Sequence, residues 1–184
     1  MRASLRFMVA TGVAAMAALV WACSDPLQSA RVAALGDEHA GVSPGPTHRP
    51  GQPCLTCHGG SGPADVDFSV AGTIYQTAAV DSPPLAGATV TIFDATQLAD
   101  GGTPHTAITN AVGNFYIRAD AWSPSFPLHD VAVSGAGIDT PTIMHTVVGR
   151  DGSCATCHFD PRGSGSHGHV YLVVDPADLP GAQP

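Results

Sequence analysis

From Phe68 onward, apolar and polar positions alternate with a period of two, in short runs separated by Gly, Pro and Asp. Phe68, Val70 and Ile74 share one face of 68–75, and Ala88, Val90 and Ile92 alternate with Thr89, Thr91 and Phe93. Phe115 and Ile117 fall on one side of 114–118, after a turn at 111–113. Val131 and Val133 repeat the rhythm, and Val170, Leu172 and Val174 close it. Short runs of period two, rich in β-branched residues, predict a mostly β fold, an antiparallel sandwich. The 16 prolines and 21 glycines argue against long helices. Trp122 and Phe126, set among Pro124 and Pro127, form an aromatic turn that is expected to cap the sandwich core.

Ahead of these strands the pattern is different. Arg2 and Arg6 precede an apolar run of 16 residues from Phe7 to Ala22, and polar sequence rich in Pro and Gly follows. A basic start, a short apolar middle and a small residue before the break describe an export signal. The run is shorter than the about 20 residues that a membrane span needs. Val20-Trp21-Ala22-Cys23 resembles the lipobox of bacterial lipoproteins, which implies lipidation of Cys23 as the first mature residue. Ordinary cleavage nearby, with Cys23 lost or free, is the alternative. Ser24 resembles the residue that sends lipoproteins to the outer membrane. The expected organisation is a signal peptide at 1–22, a lipidated flexible tether at 23–50, the β-sandwich domain at 51–178 and a C-terminal tail at 179–184.

Charge narrows the partners. The chain has no lysine, and beyond the signal five arginines face 15 acidic residues. Such a surface disfavours nucleic acid and suits an electropositive partner, although acidity also serves solubility alone.

The candidate chemistry lies in two copies of one string, Cys54-Leu55-Thr56-Cys57-His58 and Cys154-Ala155-Thr156-Cys157-His158. Cys-x-x-Cys-His is the attachment signal for c-type haem. The thiols form thioethers to the porphyrin vinyl groups, and the adjacent His becomes an iron ligand. Two covalent haems are therefore expected, at Cys54, Cys57 and His58 and at Cys154, Cys157 and His158. Two haems and one lipid use all five cysteines and leave none for a disulfide. Thiol–disulfide exchange is a rival use of Cys-x-x-Cys, but the flanks lack a βαβ pattern. A four-cysteine zinc site is another rival, although zinc does not call for a His after each pair.

The second axial ligand decides what such irons do, because an open position activates small molecules and two protein ligands favour electron transfer. Beyond His58 and His158, seven histidines remain. His48, six residues before Cys54, and His145, nine before Cys154, are the expected distal ligands, each for its own haem or for the other. His169 and then His167, in Ser166-His167-Gly168-His169, are the replacements. His39, His105 and His129 read as surface histidines without a role. Met144, the one methionine after the signal, is expected to pack. No Ser-His-Asp order, phosphate loop or paired carboxylates stand out.

The segments Val70-Ala71-Gly72-Thr73-Ile74-Tyr75, Leu85-Ala86-Gly87-Ala88-Thr89-Val90-Thr91-Ile92 and Thr109-Asn110-Ala111-Val112-Gly113-Asn114-Phe115-Tyr116-Ile117 are similar to carboxypeptidase regulatory-like domains. That resemblance implies a transthyretin-like sandwich over about residues 66 to 135, and a structural or binding role rather than catalysis. One haem string precedes the first strand and the other the last, so the two haems are expected side by side if those strands enter the sandwich from the same end. Together these readings imply electron transfer by a lipid-anchored dihaem protein of the bacterial cell envelope. It would be anchored to the outer membrane, on its periplasmic or outer side, with other redox proteins or cytochromes as partners. A peroxidase-like haem enzyme, a partner- or polymer-binding sandwich with sensory haems, and a zinc-clasped structural lipoprotein are the alternatives.

Overall fold

The computed structural model describes residues 25–38, 41–135 and 137–172. The chain divides into two compact units, one ending at Gly36 and the other beginning at Asp37. The expected signal peptide, Cys23, Ser24, His39, Val174 and the C-terminal tail lie outside the described residues.

In the first unit, Pro26–Ala34 forms helix α1. Asp25 caps it, its Oδ1 accepting the N–H groups of Leu27 and Gln28 at 2.9 and 3.0 Å, and Pro26 occupies the first turn. This differs from the expected flexible tether. The Gly and Pro residues behind that expectation lie at 36 and beyond, whereas Gln28, Ala30, Arg31, Ala33 and Ala34 favour helix.

In the second unit, β1 (Phe68–Tyr75) is central to a three-stranded sheet between β4 (Asn114–Arg118) and β7 (Val170–Tyr171). A four-stranded sheet runs β3 (His105–Ile108), β2 (Ala88–Phe93), β5 (His129–Gly135) and β6 (Ile138–Ile143). Alternation did not mark β3 and β6. Among the described strands every pairing is antiparallel except β1 with β7, which run parallel through Ile74–Val170 and Tyr75–Tyr171, and an isolated bridge of Ala71 with Ser153 is parallel too. The antiparallel expectation therefore fails at that edge, because the chain reaches β7 by a long crossing over β1 rather than by a hairpin.

Both sheets contribute to one core. Val70, Ile74, Phe115 and Ile117 of the first meet Ala88, Val90, Ile92 and Val133 of the second, with Leu85, Leu128, Trp122 and Leu172 at the margins. Trp122 is buried and Phe126 packs against the cluster, as expected of a cap. Phe68 is not a core residue. The register shifts between Phe68 and Val70, and this irregularity places Phe68 on Tyr116, with ring centroids 4.5 Å apart. Two short helices complete the unit, α2 (Leu55–His58) and α3 (Ala95–Asp100). Asp94 caps α3 in a capping box with Gln97. The Thr96 hydroxyl and the N–H groups of Gln97 and Ser125 hold the Asp94 carboxyl down to about 2.

The second unit also takes in residues assigned above to the tether. Asn110 Nδ2 donates to Pro46 O at 2.6 Å and Asn114 Nδ2 to His48 O at 2.9 Å, and just beyond the expected tether the Gly51 N–H donates to Thr73 Oγ1 at 2.7 Å. Asn114 thereby ties the segment carrying His48 to the end of β4 that pairs with Thr73. Turn-rich composition at 44–50 encodes a docked loop here.

Candidate functional site

The two Cys-x-x-Cys-His strings fold alike. In the first, Cys57 and His58 N–H groups donate to Cys54 O at 3.1 and 2.9 Å. In the second, Cys157 and His158 donate to Cys154 O at 3.2 and 2.9 Å. Each string is thus one tight turn, the first opening α2 and the second forming a 3₁₀ turn at Cys154–Thr156. One turn brings the two cysteines and the histidine of a string round to the same side.

Both turns pack on β1. The Ala71 N–H of β1 donates to Gly152 O at 3.0 Å, and this approach requires glycine, since a Cβ at 152 would lie 2.0 Å from Ser69 O. Cys154 rests on Gly72, whose added Cβ would meet Cys154 Cβ at 2.8 Å. Burial pushes the Cys154 thiol up to about 12, with the charges of Cys54 and Asp151 adding to it. Burial pushes Cys54 up to about 11. Cys54 and Cys154 each begin a turn that packs on the same strand, β1. Thiol–disulfide catalysis needs a depressed thiol pKa, and these shifts run the other way. Among the described residues no group of three or more His, Cys, Asp or Glu gathers to hold a metal ion, and the four cysteines do not form one ligand set.

The histidines are held in matching fashion. His58 Nδ1 lies 2.8 Å from Val66 O, and His158 Nδ1 lies 3.0 Å from Gly168 O. A carbonyl only accepts, so Nδ1 carries the hydrogen in each ring and Nε2 keeps its lone pair. A backbone carbonyl that fixes the tautomer in this way is the usual outer partner of a metal-ligating imidazole. Burial, with the neighbouring His167 contributing, lowers the pKa of His158 and favours the neutral ring that a metal requires.

A second histidine faces each of these rings. His48 stands against His58 with ring centroids 5.8 Å apart, and its own Nδ1 donates to Gly45 O. His167 stands against His158 at 5.5 Å. Two metal–imidazole bonds of about 2 Å each, on opposite sides of one ion, put ring centroids about 6 Å apart. The centroid spacings therefore fit a metal held between two imidazoles, and each pair includes the histidine of one cysteine turn. Phe68 stacks on His58 at 4.2 Å and is backed by Tyr116, which fixes the ring plane.

The second string borders an apolar cleft of about 430 Å³. Cys154, Cys157, His158 and His167 line it, as do Ile143, Met144 and Val147 after β5. Its floor is the core itself, nearly sealed at Val70 and Phe115 (2% exposed each), so the open volume lies toward 142–149 and β7. That volume is within the usual range for a cofactor pocket. Ser153 also lines it, with a buried hydroxyl that has no hydrogen-bond partner.

Of the expected distal ligands, His48 is brought to its own string, whereas His145 is exposed on the loop after β6. His167, the last-ranked replacement, is the histidine that stands against His158. His169 is unsuited to ligation. It is buried, Nε2 donates to Thr77 O at 2.7 Å, Nδ1 meets Asp160 Oδ2 at 2.5 Å, and the ring stacks on Tyr75. His105 stacks on Trp122, and His129 begins β5. Met144 borders the cleft. Sequence reasoning missed Ser153, Gly152 and the Phe68–Tyr116 stack. The sequence carried no sign that separates His167 from His169, since residues two apart share a face in an extended segment.

No protein-family model, no curated protein and no solved structure matches the chain. Among the described residues no helix is long and apolar enough to cross a membrane.

Proposed function

We propose that this protein is a dihaem c-type cytochrome that carries electrons at the bacterial cell envelope. The observation that carries the reading is the pairing of imidazoles, His58 with His48 and His158 with His167, each pair beside two cysteines of a Cys-x-x-Cys-His turn. Each thiol adds its sulfur and its hydrogen across one porphyrin vinyl group, so a carbon–sulfur bond forms and no oxidant is consumed. Cys54 and Cys57 hold one haem, and Cys154 and Cys157 the other. The haem iron, once bound, gains and loses a single electron. If His48 with His58 and His167 with His158 each held an iron, no position would remain there for a small substrate, which favours electron carriage over a peroxidase-like reaction. The carbonyls of Val66, Gly168 and Gly45 would hold the rings of His58, His158 and His48 with Nε2 free to ligate.

Both turns pack on β1, which supports a placement of the two haems near one another for electron exchange. The sheets, sharing one core, supply the frame as a transthyretin-like sandwich related to carboxypeptidase regulatory domains. A lipid at Cys23 anchors the chain to the outer membrane, and its acidic surface receives electropositive redox partners. Exporting the full chain with a haem-maturation system tests the reading. Intact mass must show two haems, and the ferric spectrum must be low-spin. His48→Ala and His167→Ala should each turn one of the two centres high-spin, while His145→Ala leaves both unchanged. A colourless product, or a wild-type protein already high-spin, overturns it.

A further inference from the structure

We propose that the two haem positions are inequivalent, the group bonded to Cys154 and Cys157 occupying the interior cleft and sealing the hydrophobic core, and the group at Cys54 and Cys57 lying outside it. This rests on the dihaem reading. The asymmetry is in the walls of the cleft: Cys154, Cys157, His158 and His167 line it, and Cys54, Cys57, His58 and His48 do not. The first string faces the Phe68–Tyr116 stack instead, where Tyr116 is exposed.

What the cleft offers matches a flat apolar molecule with an acidic edge. Ile143 and Val147 line it while 47% and 52% exposed, large apolar side chains that a covering group would remove from water. Val70, Ile74, Val90 and Phe115 form a dry floor. Polar residues of the lining include Arg150, Asp151, Ser153 and Thr156, and the Asp151 carboxylate is already engaged, accepting from the Ser153 N–H at 2.9 Å and the Thr156 hydroxyl at 2.8 Å. The buried Ser153 hydroxyl has no partner, and the Arg150 guanidinium enters none of the ion pairs among the described residues. A carboxylate of the bound group would satisfy both, since a guanidinium and a hydroxyl are its usual donors. The second group is therefore part of the fold as well as of the redox chain, and its loss opens the sandwich. The first is an attachment to a frame that closes without it.

The test uses the full exported chain loaded by a haem-maturation system. Cys54→Ala/Cys57→Ala and Cys154→Ala/Cys157→Ala should each carry one haem by intact mass. The first variant should melt within a few degrees of wild type and resist protease. The second should melt about 10 °C lower or more and be cleaved faster. A second variant, Ile143→Glu/Val147→Glu, changes only exposed positions. If a group covers them, the two-haem protein melts lower and its second-haem band shifts. Unchanged melting of that variant, or equal melting of the two single-haem forms, overturns the inference while leaving the dihaem reading intact. Wild-type protein without haem by mass overturns both.

Discussion

One added methyl group at Gly72 tests how closely the second cysteine turn lies on β1. A Cβ built there stands 2.8 Å from Cys154 Cβ, 3.0 Å from Phe115 Cε1 and 3.1 Å from Cys154 Sγ. Carbon atoms settle at about 3.5–4.0 Å, so the methyl overlaps both neighbours by about half an ångström or more. Neither neighbour gives way easily. Phe115 is 2% exposed and pairs with Gly72 in the β1–β4 register, and Cys154 is held by a turn whose approach is itself bonded to Ala71. Overpacking of this kind costs about 1–3 kcal/mol. For a domain of this size that lowers Tm by about 3–12 °C. Thermal unfolding followed by circular dichroism reads the shift. Gly149→Ala is the control, because its Cβ meets nothing within 4 Å and its backbone is not left-handed. In the haem-loaded protein, Gly72→Ala should also lower occupancy at Cys154 and Cys157 by mass, with Cys54 and Cys57 unaffected. A Gly72→Ala protein that melts within about 1 °C of the control refutes the reasoning, since surface substitutions shift stability by only about 0.5 kcal/mol.

Asn114→Ala should cost about 1–3 kcal/mol, because it strips Thr73 and the His48 carbonyl of buried partners. It should also expose 46–51 to protease, which peptide mapping of a timed digest would show. His169→Ala should destabilise by a similar amount, because Thr77 O and Asp160 lose their partner, while leaving a low-spin spectrum unchanged. Asp94 sets an acid limit. Its folded pKa lies below the ordinary 3.8, so its contribution is full above about pH 4 and is lost as pH falls toward about 2. Acid titration of Asp94→Ala should show a lower plateau at neutral pH and lack that part of the acid transition.

Much of this protein is written locally. Period-two alternation marks β1, β2, β4 and β5, because a half-buried strand must present apolar side chains to one face only. The cysteine strings are equally local, since a turn closed on the first cysteine's carbonyl brings both thiols and the histidine to one side. Proline and glycine counts bounded helix length, and α1, the longest described helix, has nine residues.

Tertiary structure decided the rest, for reasons that no local pattern contains. The parallel pairing of β1 with β7 follows from how the chain crosses the sheet, and the bulge that turns Phe68 outward follows from register with β4. His48 and His145 looked alike in sequence. Asn114 draws the segment carrying His48 onto the sheet, whereas His145 is left exposed beyond β6 and His167 arrives beside His158 through the backbone bond from its N–H to Cys157 O. Which histidine faces which is a matter of distance in space, set by hydrogen bonds between residues far apart in the chain. Spacing along the chain carries no record of them.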